Sequence, residues 1–178
     1  RQPLMSETFS TYSIPQIFIK GAPLILIALG LSVGFKANVW NIGAEGQYIM
    51  GAIFGASFAL SLYPLESIVI FPAMILIGVI GGFLWSMIPA FLKVKFQVNE
   101  ILVSLMLVYV AEQILALASL GFLRNPDGAG FPGSRNLNQY TSASNAEIIA
   151  GTGIHLGVLL SLLMVIFFYV LLFRHSLG

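Results

Sequence analysis

Charged residues are so sparse along this 178-residue chain that they divide it into long uncharged runs: 21–35, 46–65, 67–92, 101–111 continuing past Glu112 to 123, and 148–173. About 20 apolar residues cross a bilayer core as a helix, so the runs 67–92 and 148–173 are each long enough alone. The first run has 15 residues, about 22 Å as a helix. It either extends back through Ile17, Phe18 and Ile19, with Lys20 snorkelling to the interface, or forms one arm of a broken helix. The pattern predicts helical segments at about 17–36, 46–63, 67–92, 98–123 and 154–173. Between the last two lies "RNPDGAGFPGSRN", whose Pro, Gly, Asn and Asp content predicts an outer loop over 124–145.

Within these segments small residues recur at a spacing of four: Gly30 and Gly34; Gly51, Gly55 and Ala59; Gly78, Gly82, Ser86 and Ala90. Apolar side chains gain little by leaving lipid tails, so helices there associate where small residues let backbones approach. The expected fold is an all-α, polytopic transmembrane helix bundle in a single domain over 1–178, with those residues facing other helices.

Composition agrees. Hydrophobic residues make up 58% and charged residues 8%, against roughly 25% charged in a soluble domain. Eight Lys and Arg with a net charge of +1 argue against a nucleic-acid partner, which needs clustered cations. The absence of cysteine excludes disulfides, thiolate metal sites and a cysteine nucleophile. His155 and His175 stand at opposite ends of the last helix and cannot share a metal ion, so no metal site or cofactor is expected. No Gly-x4-Gly-Lys-Ser/Thr phosphate loop and no Gly-x-Ser-x-Gly turn occurs, and no enzyme activity is expected. The chain starts at Arg1 and stops at Gly178, just after a spanning segment, and is expected to be a piece of a longer membrane protein. The positive-inside rule places Lys36, Lys93, Lys95 and Arg174 in the cytoplasm and Lys20, Arg124 and Arg135 outside.

Ionisable groups at bilayer depth are costly, so they face a bundle interior or a watery path. Glu45, Glu100 and Glu112 are the candidates. Glu45 sits in "VWNIGAEGQYIMGA", where Asn41, Gly43, Gly46 and Gln47 suggest broken helical geometry. Two readings stay open. The stretch is a bend beside a translocation path, held by Glu45 through hydrogen bonds to nearby amides and by Asn41 and Gln47, or it is the surface start of a helix, with Asn41 as N-cap and Glu45 near the positive dipole end. Asn99 and Glu100 begin the fourth segment as either N-terminal caps or pathway residues. The candidate substrate-pathway set is Asn41, Glu45, Gln47, Asn99 and Glu100.

The stretches "VWNIGAEGQYIMGA", "LWSMIPAFLKVKFQVNEILVSLMLVYVA" and "NPDGAGFPGS" resemble, in order and spacing, the permease subunits of ATP-binding-cassette importers for simple sugars and nucleosides. That branch also includes ribose and branched-chain amino acid permeases, and the resemblance covers residues 22–178. It implies a subunit without catalysis of its own, multi-pass in a bacterial plasma (inner) membrane. Its partners would be a second permease chain, a cytoplasmic ATP-binding subunit and an extracytoplasmic substrate-binding protein. It also implies a missing N-terminal helix and a coupling helix beyond Gly178. The rival class is an ion- or proton-coupled secondary transporter in which Glu45 or Glu112 titrates.

Overall fold

A computed structural model describes residues 13–126, 128, 133–137, 140–145, 147–149 and 154–174. Five long helices account for most of them: α1 (Ser13–Lys36), α2 (Ala44–Ser61), α3 (Ile70–Phe96), α4 (Glu100–Leu120) and α5 (Leu156–Arg174). A short antiparallel strand pair, β1 (Glu147–Ile149) and β2 (Ile154–His155), precedes α5, and an isolated antiparallel bridge joins Arg124 to Ser134.

Four helices, α1, α3, α4 and α5, are long and apolar enough to cross a membrane. At most 22% of any of their apolar windows is buried. Apolar side chains left outward in this way suit lipid rather than water as the solvent. The 18-residue α2 falls outside that set, because Glu45 and Gln47 occupy its first turn. It is instead held inside the bundle, burying Gly46, Met50, Ile53, Gly55 and Ala59.

The helix ends are set by local chemistry. After α1, Asn38 adopts φ 60°, which Asn tolerates, while Val39 N–H donates to Gly34 O at 2.9 Å and Asn38 N–H to Phe35 O at 3.1 Å. That is a Schellman closure. After α3, Gln97 at φ 54° turns the chain, its N–H donating to Lys93 O. Asn99 then caps α4, its Oδ1 accepting from Ile101 N–H at 2.9 Å.

The chain divides into two compact units. The first spans 40–144 and centres on α2. Its glycines pack as the spacing predicts. A Cβ on Gly51 would stand 2.9 Å from Gly78 O, one on Gly55 3.1 Å from Met74 O, and one on Gly82 3.1 Å from Gln47 O. Rising numbers on α2 therefore meet falling numbers on α3, and the two run antiparallel. On its other flank α2 runs parallel to α4, with Gly43 against Ser104 and Gly46 against Val108.

At the far end of this unit the loop after α4 packs back on the α2–α3 connection. Tyr140 is buried there with Ala59, Ile70 and Ala143. Its hydroxyl donates to Leu65 O, its ring meets Tyr63 edge-on with centroids 5.3 Å apart, and Ser67 N–H donates to Ser142 Oγ at 3.0 Å. Burial raises the Tyr140 phenol above its ordinary pKa, helped by the nearby Glu66 charge. Part of "NPDGAGFPGS" lies outside the described residues.

The second unit holds α1, the strand pair and α5. Lys36 Nζ donates to Leu172 O at 3.0 Å and lies 5.2 Å from the Phe173 ring centroid, so Lys36 and Arg174 share one end. The expectation that Gly30 and Gly34 pack against a helix is not met among the described residues. A Cβ on Gly30 would meet nothing within 4 Å, and Gly34 is taken up by the Schellman turn, its nearest atom being Val39 O at 3.3 Å. Ser86, half-buried, donates its hydroxyl hydrogen to Phe83 O of its own helix, at 2.7 Å.

Candidate functional site

The polar residues singled out in the sequence gather where residues 40–47 meet the first two turns of α4. Segment 40–43 is non-helical and lies along α4. Ile42 N–H donates to Ser104 Oγ at 3.3 Å, and Gly43 N–H donates to Asn41 Oδ1 at 2.9 Å. The main chain of Trp40 also bonds the Glu100 carboxylate. The amides of Ile42 and Gly43 thus find side-chain acceptors, which matters because an unmet backbone group at membrane depth costs several kcal/mol.

Two glycines make the approach possible. A Cβ on Gly43 would fall 2.7 Å from Ser104 O, and one on Gly46 would fall 3.1 Å from Val108 Cα and 3.3 Å from Trp85 Nε1. Three helices meet at Gly46: its own α2, then α3 through Trp85 and α4 through Val108.

The depth of this junction follows from the same contacts. The end of the α3–α4 hairpin is marked by an ion pair between Lys93 and Glu100. Trp85 and Val108 each lie eight residues in from that pair along their helices, about 12 Å at 1.5 Å per residue. The headgroup zone is only about 5–8 Å thick on each side. With Lys93 and Glu100 in that zone, Gly46 lies inside the apolar layer, while the N-cap Gly43, against Ser104 four residues in from Glu100, lies about 6 Å in, at the layer's edge.

The five pathway candidates are not equivalent. Asn41 bonds the bend, but from two residues before the N-cap, which is Gly43. Glu45 is exposed, and among the described residues it makes no hydrogen bond or ion pair. It does not hold the bend. Gln47 is half-buried and, two residues on, points to the opposite side of α2, its carbonyl against Gly82. Asn99 is the N-cap of α4, and Glu100 is tied to Lys93. Ser104 is the residue the sequence reading missed. Its partner Ile42 is 62 positions away, and no local signal connects them. Among the described residues no three His, Asp or Glu side chains come together to hold a metal ion, and His175 lies outside them.

Residues 13–178 match the family described as "Branched-chain amino acid transport system / permease component". The chain belongs to that family. With four helices able to cross a bilayer, it is a multi-pass membrane protein of a transporter family rather than an enzyme family. It is 31% identical over 180 residues to the glucose ABC transporter permease protein TsgB13 of Haloferax volcanii, covering 95% of this chain and 46% of that protein. It is 33% identical over 106 residues to the nucleoside ABC transporter permease protein NupB of Lactococcus lactis, covering 60% of this chain and 29% of that protein. It is 29% identical over 100 residues to the guanosine ABC transporter permease protein NupP of Bacillus subtilis, covering 56% and 28%. The chain therefore spans less than half the length of each of these relatives. No solved structure matches.

Proposed function

We propose that this chain is part of the permease subunit of an ATP-driven importer that brings a neutral, polar solute of the nucleoside or simple-sugar class into the cell. It would work with a second permease chain, a cytoplasmic ATP-binding subunit and an extracytoplasmic substrate-binding protein, in the plasma (inner) membrane. The observation that carries the reading is the hydrogen-bonded non-helical stretch at residues 40–43, seated on the first turn of α4 and leading into Gly46 about 12 Å inside the bundle end, in a member of a permease family whose relatives are named for glucose, nucleoside and guanosine transport.

Such a stretch supplies hydrogen-bonding groups along a route through lipid without a fixed counter-charge for the cargo, which suits an uncharged solute with many hydroxyls. In this reading Asn41 and Gln47 shape the wall, Glu45 lies beside the path, and Asn99 with Glu100 stands at its cytoplasmic mouth. Family membership favours ATP over an ion gradient as the drive.

Uptake of labelled nucleosides and hexoses by cells lacking the gene is the test. Loss of one of these classes, restored by the gene and competed by the same unlabelled solute, is the expected result. Unchanged uptake of both classes would contradict it.

A further inference from the structure

In the unit of residues 40–144, two exposed carboxylates at membrane depth have no partner among the described residues: Glu45 on α2 and Glu112 on α4. Their placement relative to one another follows from the helix contacts. On α2, Gly46, Met50 and Ile53 face α4, while Gln47, Gly51 and Gly55 face α3. On α4, Ser104, Val108, Ala111 and Ala118 are buried, Leu107 O lies against Gly46 of α2, and Glu100, paired with Lys93, marks the side turned to α3.

Glu45 precedes the α4-facing Gly46 and so points away from α3. Glu112 follows the α2-facing Ala111 and, because α2 and α4 run parallel, points the same way. Residues 45, 49, 52 and 56 of α2 and 105, 109, 112 and 116 of α4 form two adjoining ridges at helical spacing on that one face. Glu45 lies level with about residue 107 of α4, so the two carboxylates are separated by about 8 Å in depth. Glu112 itself is 12 residues beyond Glu100, about 18 Å into a helix about 30 Å long.

An unpaired carboxylate so placed costs roughly 2.5–3.5 kcal/mol against lipid, and two on one face make lipid an implausible neighbour. We infer that the face of the α2–α4 pair turned away from α3 is the water-contacting wall of the transport path, and that Glu45 and Glu112 make it accept neutral, hydroxyl-bearing solutes and reject phosphorylated ones. This rests on the permease reading above and deepens it by naming the wall and the charge class of the cargo. A carboxylate about 8 Å away changes the local concentration of a singly charged solute by roughly two- to thirtyfold, depending on the effective dielectric. Sugar phosphates and nucleotides, with two or more negative charges, are disfavoured by the square of that factor or more.

The test uses the whole transporter in membrane vesicles, with the permease made free of cysteine. Ala52→Cys and Ala116→Cys sit on the two ridges, and Leu76→Cys sits on the outward side of α3. Each is treated with cationic and anionic water-soluble methanethiosulfonate reagents, after uptake shows that the variant is assembled. Both ridge cysteines are expected to react with both reagents, the cationic one at least about fivefold faster, and Leu76→Cys with neither. Adding Glu45→Gln and Glu112→Gln should bring the rate ratio near one. Failure of both ridge cysteines to react would show a dry face covered by protein or lipid and overturn the inference, as would a ratio unmoved by neutralisation. A secondary carrier with a wet wall would pass this test while showing no dependence on ATP, so the two readings fail separately.

Discussion

Gly51 and Gly78 interlock backbone to backbone: a Cβ on the first would stand 2.9 Å from the carbonyl of the second, and a Cβ on the second 3.1 Å from the carbonyl of the first. Neither carbonyl can yield without shifting a helix. Gly51→Leu is therefore expected to force α2 and α3 apart and destabilise the bundle by about 1–3 kcal/mol, the usual range for overpacking. Gly30→Ala, which meets nothing within 4 Å, should be neutral or slightly stabilising, since Ala is the better helix former by about 0.5–1 kcal/mol. Thermal unfolding in detergent, read side by side, checks both. Equal loss in the two variants would contradict the packing described.

The bend at residues 40–43 makes a second contrast. Ser104→Ala and Asn41→Ala each strand one amide, of Ile42 and of Gly43 respectively, and a buried unmet donor costs about 1–3 kcal/mol. Glu45→Leu strands none. Membrane abundance should fall in the first two variants and hold in the third. A fall in Glu45→Leu alone would return the bend to Glu45.

How much of this was legible in the sequence depends on how local the cause was. Helix limits were readable to within a few residues because Lys36, Lys93, Glu100 and Arg174 bracket the apolar runs. The glycine ladders showed which faces can pack, and in α2 and α3 that settled the matter. They could not show which face a neighbour covers, so Gly30 was misread and Gly34 was given to a helix contact when it closes a turn. The non-helical stretch at 40–43 fits both open readings, a bend or a helix start, because Gly43 and Gly46 serve either. Ser104 was not visible, since its role exists only once residues 62 positions apart are brought together. The strand pair at 147–149 and 154–155 is too short to leave a periodic trace.

At the α3–α4 connection, Asn99→Ala removes the N-cap acceptor of Ile101 N–H, a loss of about 0.5–2 kcal/mol. Glu100→Gln breaks the pair with Lys93, which is partly exposed, with 37% of the Lys93 side chain accessible. Such pairs are weak and screened by salt. The Asn99 variant is expected to be the less stable in thermal unfolding, and the Glu100 effect to shrink as salt is raised. The reverse order would mean that the ion pair, not the cap, starts α4.

Tyr140→Phe keeps the edge-on contact with Tyr63 and loses the hydroxyl bond to Leu65 O. Amides over 62–67 and 140–144 should then exchange faster with deuterium, while those of α4 hold. Uniform exchange in wild type and variant would show that the loop is not pinned at this point.

The central claim is that this fold belongs to an importer driven by ATP, and the direct measurement is solute uptake into proteoliposomes holding the complete transporter and its binding protein. Uptake is expected to require ATP inside the vesicle, the side of Lys93 and Lys95, to stop with a non-hydrolysable analogue, and to be indifferent to ionophores that collapse proton and sodium gradients. Uptake that continues without ATP and stops when those gradients are collapsed would contradict the account and assign Glu45 and Glu112 to an ion-coupled carrier.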